Sequence, residues 1–83
     1  MIDWRVAVTT QYGIEPTAEA IREACAKRGW RFKIAPVPQH GVVVCAITIP
    51  TGEGDIEQLG IGPTRDEAAA RALVQMPRDP GIT

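Results

Sequence analysis

The chain reads as a small α+β protein, a two-layer sandwich in which two helices cover one face of a three-stranded antiparallel sheet. Three observations predict this. A helix-forming stretch around Ala18 to Arg28 is stopped by Gly29. It is followed by a β-branched and turn-punctuated middle from Trp30 to Ile61. The last third, Gly60-Ile61-Gly62-Pro63-Thr64-Arg65-Asp66-Glu67-Ala68-Ala69-Ala70-Arg71-Ala72-Leu73, carries a strand end straight into a capped, alanine-rich helix. The order is therefore α-β-β-β-α, and each helix buries an apolar stripe against the sheet.

Size and composition bound what that fold can do. Eighty-three residues make one domain, of a size that buries only about 60 to 65% of its unfolded surface, so association with another chain would add stability. A hydrophobic content of 45% against 23% charged residues is that of an ordinary globular protein. Nine cations against ten anions give a net charge of −1, so any nucleic-acid surface has to be a local patch. No apolar run reaches the roughly 18 residues that span a bilayer. The amino terminus lacks the basic region and apolar core of a signal peptide, and the expected location is cytoplasmic. In that compartment Cys25 and Cys45 read as small buried hydrophobes.

Element by element, Ile2, Trp4, Val6 and Val8 alternate at period two and predict an additional amino-terminal strand. Gln11 to Glu15 reads as a loop, and Thr17 caps the first helix. In that helix Ile21, Ala24, Cys25 and Arg28 share one side, while Arg22, Glu23 and Lys27 face water. Trp30 to Ile34 alternates apolar with basic residues as a half-buried strand does. Two prolines in Pro36-Val37-Pro38-Gln39-His40-Gly41 predict a loop, because neither can donate to a ladder. Val42 to Ile49 is the second strand and Asp55 to Ile61 the third, joined by Pro50-Thr51-Gly52-Glu53-Gly54. Thr64 and Glu67 stand at capping-box spacing, Ala69, Ala72, Leu73 and Met76 form the buried stripe, and Pro77 ends the helix. The domain spans residues 1–76 and residues 77–83 read as a tail. There are no internal repeats and no low-complexity segment.

With Trp30, Phe32, Ile34, Val43, Cys45, Ile47, Ile49, Leu59 and Ile61 turned to the helices, the other face holds Arg31, Lys33, Val42, Val44, Ala46, Thr48, Ile56 and Gln58. Its centre is more apolar than a solvated sheet face requires, which predicts a cover: the amino-terminal strand, a second copy, or another protein.

Several strings resemble the double-stranded-RNA-binding domain over Pro16 to Met76. Ile21-Arg22-Glu23-Ala24-Cys25-Ala26-Lys27-Arg28-Gly29 is similar to that family's first helix, Pro38-Gln39-His40 to its Pro-x-His loop, and Gly60-x-Gly62-x-Thr64-Arg65-Asp66-Glu67-Ala68 to the start of its second helix. The resemblance implies that a Lys-Lys-x-Ala-Lys cluster at that start holds phosphates across the major groove, while the loop histidine and first-helix polar groups touch minor-groove riboses. Here those cluster positions read Arg65, Asp66, Glu67, Ala68 and Ala69: one of three cations is kept and one has become an acid. Each lost phosphate contact lowers affinity, so RNA binding should be weak or absent. Arg28-Gly29-Trp30-Arg31-Phe32 and Thr64 to Leu73 also resemble small phage-encoded sandwich domains, which implies a phage or mobile-element origin.

Catalysis has little to work with. His40 sits in a proline-bounded loop with no nucleophile, paired carboxylate or phosphate loop at a telling spacing, so no enzyme is expected. Gly52-Glu53-Gly54 and Gly60-Ile61-Gly62 fit a turn and a strand end rather than a nucleotide fingerprint. Cys25, Cys45 and His40 lack the fourth ligand and close cysteine pair of a zinc site, and no cofactor is expected. The leading expectation is a non-enzymatic protein-interaction module, self-associating or hetero-associating, with Trp4, Arg31, Lys33, Val42, Val44 and Ile56 as contact residues. Trp4 could equally fold back onto its own sheet. The alternative is an RNA binder using Lys27, His40, Arg65 and Arg71.

Overall fold

The computed structural model describes residues 3–76. Three helices and three strands follow one another as α1 (Trp4–Tyr12), α2 (Ala18–Lys27), β1 (Arg31–Val37), β2 (Val42–Thr51), β3 (Gly54–Gly62) and α3 (Arg65–Val74). The sheet is antiparallel in the order β1-β2-β3, so the α-β-β-β-α arrangement expected for Pro16 to Met76 is present. It is compatible with a duplex-RNA-binding-domain-like fold.

The amino-terminal segment differs from expectation. Trp4 to Val8 belongs to a helix, not a strand, and Ile2 lies outside the described residues, as do residues 77–83. Asp3 caps the helix by accepting from the Arg5 amide at 2.8 Å, and Gly13, at φ 66, closes it with its amide on the Thr9 carbonyl. Gln11 therefore falls inside α1 rather than in the loop. Trp4, Val8 and Tyr12 recur at four-residue spacing, a helical stripe lying under the apparent period of two. Val8 is fully buried, Ala7 nearly so, and Val6 is 58% exposed. The helix is held from outside: α1 packs on α3, and the Tyr12 hydroxyl donates to the Leu73 carbonyl at 3.2 Å.

α3 is the hub, touching α1, α2 and all three strands. Ala68, Ala69, Ala70, Ala72 and Leu73 are all buried, which is why this helix is alanine-rich on nearly every side; a helix enclosed all round needs small or apolar residues all round. The closest approach is at Gly60, where a Cβ would overlap the Ala68 carbonyl oxygen and the Ala72 amide nitrogen. Glycine is required there because α3 lies directly on the strand backbone.

That contact sets the facing of β3. Gly60 pairs with Cys45 and Gly62 with Val43, both on the helix side of β2. Alternation then puts Ile56 and Gln58 on the helix side, and Leu59 and Ile61 on the open side at 51% and 53% exposure. The sequence expectation had this strand inverted, placing the large apolar residues inward where the glycines have to be. Ile56 is accordingly no contact residue of the open face: it sits opposite Ile49 and packs on the core.

β1 runs further than expected, through Pro36 and Val37, which pair with Val43 and Val42. An edge strand tolerates the missing proline donor on its outer side, and only Pro38–His40 form the 3-10 turn. The core that results joins Val8 of α1, Ile21 and Cys25 of α2, Cys45, Ile47 and Ile49 of β2, and the buried side of α3.

Candidate functional site

Two surfaces compete for function: the start of α3 with the β1–β2 turn, where RNA contacts were expected, and the open face of the sheet.

At the start of α3, Thr64 Oγ1 accepts from the Glu67 amide at 3.1 Å, as the capping spacing implies. The Glu67 carboxylate, however, reaches forward to Arg71 at 2.6 Å instead of back to the cap. Arg71 is thus engaged in an i,i+4 pair. Asp66 is engaged too: its Oδ1 accepts the Ala18 amide at 2.8 Å, supplementing the Thr17 cap of α2, whose own Oγ1 accepts from Ala20 at 3.2 Å. A helix start leaves its first amides without backbone acceptors, and a carboxylate is the strongest side chain to satisfy one. Asp66 is therefore a tie between α3 and α2, a role that sequence spacing could not show because the partners are 48 residues apart.

Arg65 remains exposed beside a shallow cleft shared with Ala18, Glu19, Arg22, Phe32 and Asp66. With Glu67 adjacent, two arginines stand among three carboxylates. His40 is exposed on the 3-10 turn at the same end of the sheet, since Val37, Val42, Val43 and Gly62 cluster there by register. Lys27, also exposed, is in the last turn of α2 and leads through Gly29 to the opposite end of β1, about 20 Å away along a seven-residue strand. The structure brings Arg65 and His40 to one end, places Lys27 at the other, and pairs Arg71.

The open face is built from alternate residues of all three strands. Across it, rows follow the register: Arg31, Thr48 and Glu57; Lys33, Ala46 and Leu59; Ala35, Val44 and Ile61; then Val37 and Val42. Polarity is graded along the strands. Arg31 Nη1 lies 3.5 Å from Asp55 Oδ2, and Thr48 Oγ1 donates to Glu57 Oε2 at 3.4 Å, so charge gathers at one end. Towards the β1–β2 turn the surface is aliphatic. Of the expected contact residues, Arg31, Lys33, Val42 and Val44 share this face. Trp4 does not: it packs on the helix side against the core, with the Arg5 guanidinium 4.6 Å from its ring centre. Leu59 and Ile61 are the face's most exposed large apolar residues and were missed; the glycine alternation Gly60-x-Gly62 was the signal that could have found them.

Cys25 and Cys45 are buried, and burial pushes their thiols up to about 11 and about 12. They are packing groups. Among the described residues no helix is long and apolar enough to cross a membrane. Comparison with protein-family models, with curated proteins and with solved structures finds no match to this chain.

Proposed function

We propose that the protein is a non-enzymatic binding module that engages a protein surface through the open face of its sheet, with duplex-RNA binding weak or absent. The observation that carries this reading is the pair Leu59 and Ile61, each half exposed beside Val44 and Ala46 on a face that, among the described residues, no helix covers. A sheet whose outer face needed only water would present polar residues at those positions. The resemblance to small phage-encoded sandwich domains supports a phage or mobile-element product acting in the cytoplasm.

The RNA reading is weakened by where the charges go: Asp66 caps α2 and Arg71 is held by Glu67, leaving Arg65 as the exposed cation of the resembling cluster. The test is capture from the native host by tagged protein, with and without nuclease, beside titration with a long RNA duplex at low and moderate salt. Nuclease-resistant capture lost in Leu59→Asp and retained in Arg65→Ala supports the proposal. Tight, salt-sensitive duplex binding abolished by Arg65→Ala, with capture indifferent to Leu59→Asp, refutes it.

A further inference from the structure

The charges of the open face are antisymmetric about its central strand. β1 contributes Arg31 and Lys33 on one side of β2, and β3 contributes Asp55 and Glu57 on the other, at the same end of the sheet. The aliphatic residues occupy the opposite end of all three strands. From this pattern, and resting on the proposed use of the open face, we infer that the partner it fits is a second copy of this chain, packed face to face with the two-fold axis along β2.

The geometry follows from symmetry. Rotation about an axis parallel to β2 leaves each row at its own level but exchanges the two edges, so β1 of one copy lies over β3 of the other. Arg31, already 3.5 Å from Asp55 of its own chain, then lies level with Glu57 of the opposing copy. Lys33, level with the opposing Leu59, lays its aliphatic stem on that side chain and reaches one row along to the same Glu57. Val42, Val44 and Ala46, lying along the axis, meet their own counterparts. The bulk is complementary as well: Ala35, the small residue of its row, receives Ile61 from the other copy. The in-plane axis at right angles to the strands fails, because it lays the charged end of one sheet over the aliphatic end of the other and buries unpaired charge. A two-fold interface has to be complementary to itself, and this face satisfies that requirement in both charge and size. Aligned sheet packing, with strands crossing at about 30°, accommodates the arrangement.

The contact is small. Three strands about 4.8 Å apart and seven residues at about 3.3 Å per residue give a footprint near 14 by 23 Å on each copy. Two such footprints total roughly 650 Å², below the size of standard specific interfaces, so the self-association is of the weak, transient class.

Sedimentation velocity of the purified chain from about 5 to about 500 μM, a range suited to weak association, tests the inference. A concentration-dependent monomer to dimer shift is expected. Arg31→Glu/Lys33→Glu makes both edges acidic, and Asp55→Lys/Glu57→Lys makes both edges basic, so each variant alone should dimerise at least ~10-fold more weakly. An equimolar mixture of the two presents opposite charges at every edge and should restore dimer to the wild-type level or above. Adding Val44→Asp to the acidic variant should abolish that rescue, which separates a docked face from attraction between net charges. Circular dichroism checks that each variant is folded, and a misfolded one is replaced by Arg31→Glu or Glu57→Lys alone. A wild-type chain that stays monomeric at the top concentration, or a folded mixture with no rescue, overturns self-pairing. Either result leaves the open face available to a different protein, a reading that fails only if Leu59→Asp leaves nuclease-resistant capture unchanged.

Discussion

Replacing Gly60 by alanine tests the packing on which both layers depend. The added Cβ would overlap the Ala68 carbonyl oxygen and the Ala72 amide nitrogen and stand 3.0 Å from Ala72 Cα. All three atoms belong to the backbone of α3, which cannot swing aside as a side chain can. Overpacking a core costs about 1–3 kcal/mol and sometimes more, and a clash with backbone belongs at the top of that range. Alanine recovers about 0.4–1 kcal/mol by restricting the unfolded chain, leaving a net loss of about 2–3 kcal/mol. For a chain of 83 residues, whose total stability is of order 4–12 kcal/mol, that is a large share. At about 4–8 °C per kcal/mol for domains of this size, the midpoint should fall by roughly 8–24 °C in a thermal melt followed by circular dichroism. Gly52→Ala is the control, because nothing lies within 4 Å of a Cβ there. Gly62→Ala is intermediate: its Cβ would press on Glu67 Cγ at 2.9 Å, a side chain that can yield in part. A Gly60→Ala protein melting with the Gly52→Ala protein would mean that α3 does not rest on β3 as described, and the facing of Leu59 and Ile61 would fall with it.

Three further outcomes are expected. Val8→Ala should cost about 2 kcal/mol from lost burial and the cavity left, whereas Val6→Ala, at a 58% exposed site, should stay within about 0.5 kcal/mol; equal losses in urea titrations would favour the strand pattern over the helix. Asp66→Lys should destabilise by about 1–2 kcal/mol by removing the Ala18 amide's acceptor, and a neutral result would deny Asp66 its capping role. Cys25 and Cys45 should resist a thiol reagent at pH 8 until the chain is unfolded. Because their folded values, about 11 and about 12, lie above the ordinary thiol value of 9.0, the native state holds protons that the unfolded chain releases. Stability should therefore hold up to about pH 9 and decline as pH rises towards 11 and 12; constant stability through that window would contradict the burial.

Much of the fold was legible because its signals are local. Thr17 and Thr64 cap helices where their spacing places them, Gly29 stops α2 at φ 75, and the β-branched run 42–49 is the central strand. What failed was settled by contacts between distant parts of the chain. Trp4 to Val8 fits two periods, and the helix prevails because α3 offers a surface for Val8 and a carbonyl for Tyr12. The facing of β3 cannot be read from the apolarity of Leu59 and Ile61, since α3 demands the smallest residues beneath it and the larger ones are displaced outward. Pro36 was misjudged for a related reason: whether a proline is tolerated depends on whether its strand is an edge, which is a property of the sheet.

The same long-range view changes the meaning of the acid at the start of α3. By resemblance alone, Asp66 stands where the duplex-RNA-binding family carries a cation. In three dimensions it is an acceptor gained, supplying one of the amides that every helix start leaves open, on a different helix. One carboxylate cannot hold that amide and also leave the position free for a group that draws phosphate. Glu67 follows the same logic, turning Arg71 along the helix at 2.6 Å. Both acids at this helix start thus serve contacts within the fold, Asp66 with α2 and Glu67 along α3. Leu59 and Ile61, alternating with the glycines under α3, stand on the opposite side of the sheet. Close packing of α3 thus decides which side of the sheet residues 59 and 61 occupy, while their being Leu and Ile rather than polar is a separate property of the open face, so a substitution that loosens α3 should disturb the placement of both side chains.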